Sequence, residues 1–215
     1  MNPGHNQYKQ VSMSAEPTAT PIRATRAVSD GAKSQRSEMI LICAAKMLTE
    51  TGVDGLKMAE LAARCNLAKG TLYLYYPTKD ALLLALLADV LDDWRSGVCE
   101  QLQPDLDRSE YGRVLSDAAM KSPVLLALCG WAAGYGWQSD PGDNIDVGPL
   151  HVTGNHLGLH LATLLGLGSR PGRRLGFGII ATLLGAQCMS GGDTAAFGRV
   201  FTPAVNQMLR GYQAG

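Results

Sequence analysis

The sequence predicts an all-α protein, and three observations lead to that fold class. Apolar residues recur at helical spacing in nearly every segment after residue 36, no segment alternates as a strand does, and no internal repeat is present. Of 215 residues, 46% are hydrophobic and 18% are charged, the balance of a globular chain with a sizeable core. We expect an N-terminal three-helix domain joined by a long helix to a larger helical domain.

The first 32 residues are the exception to the helical pattern. They are rich in Ser, Thr, Ala, Pro and Gly without a hydrophobic period, which predicts a disordered arm over residues 1–32. Arg23 and Arg26, with Lys33 and Arg36 after them, could touch a polyanion. Because no apolar core typical of a secretory signal is present, we expect a cytoplasmic protein.

Three short helices follow the arm. The first runs from Arg36 to Gly52, which acts as its C-terminal stop. A second forms around Met58 and Leu61, residues 65–67 make a turn, and a third covers residues 68–75 and ends before Pro77. The spacing therefore predicts a compact domain over residues 33–79.

The rest of the chain, residues 80–215, is predicted to form a second helical domain. Thr78 is placed to cap a helix of five or six turns, with Asp80 in its first turn. Further helices are predicted over residues 111–120, from Pro123 with Ser122 as its cap, and over residues 152–167, 174–189 and 194–211. Pro203 is expected to kink or delay the last helix.

Charge and cysteine usage narrow the function classes. Residues 1–79 carry ten Lys or Arg against six Asp or Glu, whereas residues 80–215 carry nine against thirteen. The basic front half favours a polyanionic partner. The five cysteines stand singly without C-x-x-C spacing, so we expect buried, reduced thiols rather than disulfides or a zinc site. The longest apolar stretch, residues 175–189, is too short for a membrane span.

Two short helices around a tight turn are what a helix-turn-helix reader of the DNA major groove requires. Ala62 is small enough for the helices to cross closely, and Asn66 tolerates the left-handed conformation of the turn. Residues 62–82, AARCNLAKGTLYLYYPTKDAL, resemble the DNA-binding signature of the tetracycline-repressor (TetR) family, and residues 40–52 resemble that family's first helix. Three departures stand out: Leu56 and Lys57 replace a capping Thr or Ser, Asn66 replaces a glycine, and Ala68 replaces a capping Ser.

The third helix is the candidate recognition helix. Its exposed start and the residues after it supply the predicted DNA-binding set: Lys69, Gly70, Thr71, Tyr73, Tyr75 and Lys79. Lys69 and Thr71 have the chemistry to contact base edges, and the resemblance implies that Tyr75 and Lys79 hold phosphates. The alternative is that the tyrosines form an aromatic cluster sealing a small core, a role we assign to Tyr76 and Leu72.

The resemblance also implies a homodimer whose last two helices form a four-helix interface. Two apolar stripes suit it: Leu175, Ile179, Leu183 and Ala186, and then Phe197, Phe201 and Val205. Gly176, Gly178 and Gly185 would let the helices approach closely. In the alternative, both stripes pack inside one subunit.

An inducer pocket in the C-terminal domain is a further implication of the resemblance. Candidate ligand-binding residues are Trp131, Tyr135, Trp137, His156 and His160, although aromatic residues of this kind more often belong to the core. His156 and His160 lie on one helix face with only His151 as a third imidazole, so we expect no metal site.

The sequence thus predicts a non-enzymatic transcriptional repressor without a cofactor. The nucleophile, metalloprotease and phosphate-loop motifs G-x-S-x-G, H-E-x-x-H and G-x-x-x-x-G-K-[ST] do not occur. Its expected partners are double-stranded DNA carrying a palindromic operator, a second copy of the chain, and an unknown small-molecule effector, with no membrane. The alternatives are a non-specific nucleic-acid module and a helical small-molecule-binding or scaffold protein whose helix-turn-helix binds DNA weakly.

Overall fold

The computed structural model describes residues 22–135 and 148–212, and over those residues the chain is helical without a strand. The elements are α1 (Ile22–Gly55), α2 (Met58–Arg64), α3 (Lys69–Tyr75), α4 (Lys79–Gln101), a short 3-10 turn (Arg108–Glu110), α5 (Tyr111–Met120), α6 (Pro123–Tyr135), α7 (Gly148–Leu165), α8 (Ser169–Ser190) and α9 (Thr194–Gly211). The predicted all-α fold class is confirmed. The chain separates into two compact units, Met1–Arg36 and Ser37–Gly215. The boundary at residue 79 stays a prediction.

Helix boundaries follow the predicted signals wherever a local residue sets them. Gly52 has φ 71° and ψ 177°, a conformation that breaks the regular helix within α1. The Thr78 hydroxyl accepts from the Ala81 amide at 3.0 Å and opens α4. The Ser122 hydroxyl likewise accepts from the Leu125 amide at 3.3 Å, directly before α6 begins.

The structure departs from expectation at the start of α1 and in the effect of Pro203. Helix α1 begins at Ile22 rather than Arg36, because the segment after Pro21 contains Ala, Arg, Lys and Gln, which favour helix even without an apolar stripe. Residues 1–21 of the predicted arm lie outside the described residues. Pro203 lies within α9 and does not delay its start, since Asp193 caps the helix by accepting from the Ala195 amide at 2.8 Å.

The second unit is packed around α4, which contacts α5, α6 and α7, while α8 contacts α6, α7 and α9. Trp94 of α4 donates its indole N–H to the Leu115 carbonyl at 3.2 Å, a buried bond that fixes α5 beside it. Helix α5 in turn meets α9, where the Gly112 amide donates to Asn206 at 3.2 Å.

Helices α7 and α8 meet through glycines. A Cβ built on Gly176 would lie 2.0 Å from the Gly154 carbonyl oxygen, and one on Gly158 would lie 2.3 Å from the Gly172 carbonyl oxygen. Any side chain at these positions would therefore strike backbone of the facing helix. Gly176 therefore allows close contact between two helices of the same chain. Gly178 faces the Met208 sulfur, and a Cβ on Gly185 would meet nothing within 4 Å.

The predicted dimer stripes are corrected by the structure. All seven side chains are at most 2% exposed within a single chain: Leu175, Ile179, Leu183, Ala186, Phe197, Phe201 and Val205. Phe197 and Phe201 stack on each other with ring centroids 5.2 Å apart. Because the chain's own core already covers these stripes, they leave no area for a second subunit.

The five cysteines are free, but they are not all buried. Cys65 and Cys129 are buried, Cys43 and Cys99 are half-buried, and Cys188 of α8 is exposed, contrary to expectation. Burial raises the pKa of the Cys129 thiol to about 12, so this thiol stays protonated at neutral pH. None of the described helices is both long and apolar enough to cross a membrane.

Candidate nucleic-acid interface

A tight turn joins α2 to α3. Asn66 adopts φ 53°, and the Leu67 amide donates to the Ala62 carbonyl at 2.8 Å, so the end of α2 is closed by its own backbone. The conformation predicted for Asn66 is confirmed. Ala62 and Leu61, both buried, hold α2 against the core and fix the angle at which α3 leaves the turn.

Arg64 ties α2 to α1. Its guanidinium donates to Glu50 of α1 at 2.6 Å and to Glu60 of α2 at 2.9 Å. Hydrogen bonding to Glu50 and then to Glu60 raises the pKa of Arg64 above its ordinary value. This cation therefore links α1 to α2 and is paired with two carboxylates.

One face of α3 is buried and the opposite face is open. Leu72 is fully buried and Tyr76 is 7% exposed, which confirms that both belong to the core. The Tyr76 hydroxyl is 2.7 Å from the Ser37 hydroxyl, and burial raises the pKa of Tyr76. On the other side, Gly70 has open space around it and Leu74 is 81% exposed.

The predicted DNA-binding residues lie along α3 and the first turn of α4. Lys69 is exposed, with its ammonium 5.8 Å from the centre of the Tyr73 ring, and Tyr73 is 38% exposed. Thr71 and Tyr75 are half-buried at the edges of the open face. Lys79 is half-buried and donates to the Asp54 carbonyl at 3.5 Å, which places it beside the end of α1.

Both short helices begin without a side-chain cap. Lys57 precedes α2 and Ala68 precedes α3, both extended, and neither side chain bonds a helix amide. The replacement of capping residues by Lys57 and Ala68 therefore leaves the starts of α2 and α3 without a side-chain hydrogen bond, as expected. Packing of Leu61 and Leu72, rather than capping, holds the two helices in place.

Sequence reasoning missed Leu74. It lies four residues after Gly70 and therefore on the same face, which is also the face opposite the buried Leu72 and Tyr76. Helical spacing alone places Leu74 on the same face as Gly70. An apolar residue is expected to be buried, however, and only the structure shows that Leu74 is 81% exposed.

The C-terminal candidates do not come together as a described site. Trp131 is half-buried, the Tyr135 side chain and all of Trp137 lie outside the described residues, and His156 is exposed. The ring Nε2 of His160 lies 3.1 Å from the Leu102 carbonyl, so this imidazole links α7 to the end of α4. Within the described ranges, no three His, Cys, Asp or Glu side chains group as a metal site.

Helix α3 has one buried face and one open face, and a closed turn joins it to the short helix α2. These features define a helix-turn-helix DNA-binding protein. Residues 40–86 match the model of the bacterial regulatory proteins of the tetR family. The chain is 34% identical over 53 residues to an uncharacterized helix-turn-helix regulator, YuxN of Bacillus subtilis, and 32% identical over 63 residues to the regulator RutR of Escherichia coli. These matches cover 25% and 29% of the chain, but only 18% and 30% of the two relatives.

Solved structures extend the likeness to the fold of most of the chain. A TetR protein of Acinetobacter baumannii, crystallised with minocycline, has a TM-score of 0.54 at 17% identity, over 81% of this chain and 94% of that one. A TetR-family regulator of Streptomyces coelicolor has a TM-score of 0.52 at 20% identity, over 83% and 98%. Residues 40–86 thus match the DNA-binding domain of the tetR family, and most of the chain shares the fold of solved TetR-family proteins.

Proposed function

We propose that the protein is a homodimeric transcriptional repressor that binds a palindromic operator and is released by a small molecule. The observation that carries this proposal is the open face of α3, presented by a helix whose other face is anchored in the core by Leu72 and Tyr76. In this proposal residues 33–79 bind DNA, and residues 80–215 bind the effector and form the dimer.

The DNA contacts are divided between bases and phosphates. Lys69 and Thr71, in the first turn of α3, are assigned to base edges, and Gly70 to close backbone approach. Tyr73 and Tyr75 flank the open face, and Tyr75 is assigned to a phosphate. Lys79 is assigned to a second phosphate, because its ammonium stands at the start of a 23-residue helix whose dipole also favours an anion.

For the dimer we propose the outer faces of α8 and α9 instead of the buried stripes. Between Leu175 and Ser190, α8 carries no charged residue on any face. A helix that is uncharged all round is covered on all sides in a stable protein. The outer positions are apolar or small and range from half-buried to exposed: Phe177, Ala181, Leu184, Gly185, Cys188 and Met189 of α8, with Ala196, Val200 and Pro203 of α9.

The effector site is proposed within residues 80–215, and the likeness to a minocycline-bound TetR protein supports the general idea of a ligand there. Trp131, Tyr135, Trp137, His156 and His160 remain the candidates. A ligand releases DNA only if it binds one spacing of the two recognition helices more tightly than the other. Loss of ligand response in Trp131→Ala with retained operator affinity would support a pocket role, and an unchanged response would remove it.

Selection from a random duplex pool tests the proposal directly. We expect an inverted repeat with half-sites about one helical turn, or a multiple of it, apart. Titration of that duplex at two salt concentrations then measures how many phosphates are neutralised. If no consensus is recovered and binding is only weak and salt-sensitive, the proposed repressor function is excluded.

A second candidate function is favoured by the uncapped starts of α2 and α3. In it, the protein is a helical small-molecule-binding or scaffold protein whose helix-turn-helix binds DNA weakly and without sequence preference. Failure of the selection would favour this candidate.

A further inference from the structure

The outermost line of α3 is apolar. Gly70 and Leu74 stand four residues apart on it, diametrically opposite the core side formed by Leu72 and Tyr76. Gly70 contributes no side chain, so Leu74 alone projects from the centre of the open face. Its exposure of 81% is the greatest among the large hydrophobic side chains of the described residues.

Leu74 has no internal structural role that explains its position. Substitution of so exposed a side chain removes almost no packing, and an aliphatic group in water gains stability only when another surface covers it. The side chains beside it are different in kind: Lys69 carries a cation and Tyr73 a hydroxyl, and the Lys69 ammonium lies 5.8 Å from the centre of the Tyr73 ring. The polar readers therefore lie beside the apolar line and not on it.

An isobutyl group neither donates nor accepts a hydrogen bond. In the major groove, the base feature that it can recognise is the C5-methyl group of thymine, since the other edge groups are donors and acceptors that a Leu would leave unpaired. A Leu at this point also disfavours a bare donor or acceptor beneath it, because that group would lose its water without a replacement.

We propose that Leu74 reads the methyl group of one thymine in each half-site and so sets the base preference at that position. This inference rests on the proposed function, because it requires α3 to enter the major groove. The operator base beneath the centre of α3 is then a pyrimidine that carries a methyl group, and the bases that Lys69 and Thr71 contact lie beside it.

Replacement of single thymines by deoxyuridine tests the inference, since it removes the methyl group and keeps base pairing and every groove hydrogen-bonding group. With the selected duplex, the wild-type protein should bind about four-fold more weakly per half-site when uracil replaces that one thymine, the loss expected for one buried methyl group. Leu74→Ala should bind the thymine duplex more weakly and lose its sensitivity at that position, while the other thymines keep their effects.

Val152→Ala is the matched control, since Val152 of α7 is an aliphatic side chain 51% exposed and lies outside the helix-turn-helix. It should reproduce the wild-type uracil profile. Specific binding in which uracil weakens wild type and Leu74→Ala equally, or weakens neither, would overturn the inference and leave the proposed function standing. Absence of any specific binding by wild type would overturn both.

Discussion

Substitution of Gly176 by Ala probes the contact between α7 and α8. In a solvent-exposed helix interior, replacing Gly by Ala stabilises by about 1 kcal/mol, since Ala loses less backbone entropy. At Gly176 the new methyl carbon would lie 2.0 Å from the Gly154 carbonyl oxygen and 2.7 Å from the Gly158 amide nitrogen. Both atoms are backbone, so no rotamer change relieves the clash.

Relief requires the two helices to separate by more than about 1 Å at the contact, which opens the packing on either side. Overpacking of this kind costs about 3 kcal/mol where no side chain can move aside. With the gain in helix propensity subtracted, we expect Gly176→Ala to lower the free energy of unfolding by about 2 kcal/mol. For a chain of this size that corresponds to a Tm lower by about 4–8 °C.

Urea denaturation followed by helical circular dichroism measures the effect, at one fixed protein concentration because association would shift the midpoint. Gly97→Ala in α4 is the matched control, since a Cβ at Gly97 would meet nothing within 4 Å, and it should stabilise. Gly154→Ala should fall between the two, because its methyl would meet a Phe177 ring carbon at 3.0 Å, and a ring can shift. A Gly176→Ala protein as stable as Gly97→Ala would refute the reasoning.

Four further predictions concern the DNA-binding domain and the dimer. Ala68→Ser should raise the free energy of unfolding by about 1 kcal/mol, because it supplies the missing cap of α3; an unchanged urea midpoint would mean that the hydroxyl does not reach the helix amides. Asn66→Gly should match or exceed wild-type stability and Asn66→Ala should lose about 1 kcal/mol, since φ is 53° there; thermal unfolding that ranks them the other way would contradict the left-handed turn. Ala181→Asp should shift the sedimentation coefficient at micromolar concentration from dimer to monomer, whereas Lys121→Glu, on an exposed residue after α5, should not; a dimer in both would place the interface elsewhere. Lys79→Ala should weaken binding of all duplexes alike and reduce the slope of log affinity against log salt by about one, and an unchanged slope would exclude the phosphate contact.

The parts of the fold that the sequence predicted correctly are those set by neighbours in the chain. Gly52 breaks α1, Asn66 turns left-handed, and Thr78 caps α4, and each of these acts through the conformation or hydrogen bonds of its own few residues. The predicted start of α1 at Arg36 was wrong. Residues 22–35 form a helix without an apolar stripe, so they give no periodic signal in the sequence.

The predicted dimer stripe failed for a different reason. Periodicity identifies an apolar face but not the part of the protein that covers it. Between Leu175 and Ser190, α8 carries no charged residue, so its inner and outer faces look alike in sequence there. Burial of Ile179 and Leu183 in the chain's own core decides the matter. Sequence spacing could not identify the hydrogen-bond partner of His160, because the Leu102 carbonyl lies 58 residues away along the chain.

That long-range bond gives α4 a fixed point at its C-terminal end. The helix starts at Lys79, four residues after α3 ends, and the residue that follows its last turn is held by His160. Twenty-three residues span about 34 Å, so a tilt of about 5° pivoting at one end displaces the other by about 3 Å. Successive base pairs of DNA are about 3.4 Å apart, so a change in the angle of this single lever is enough to move α3 by almost one step along a groove.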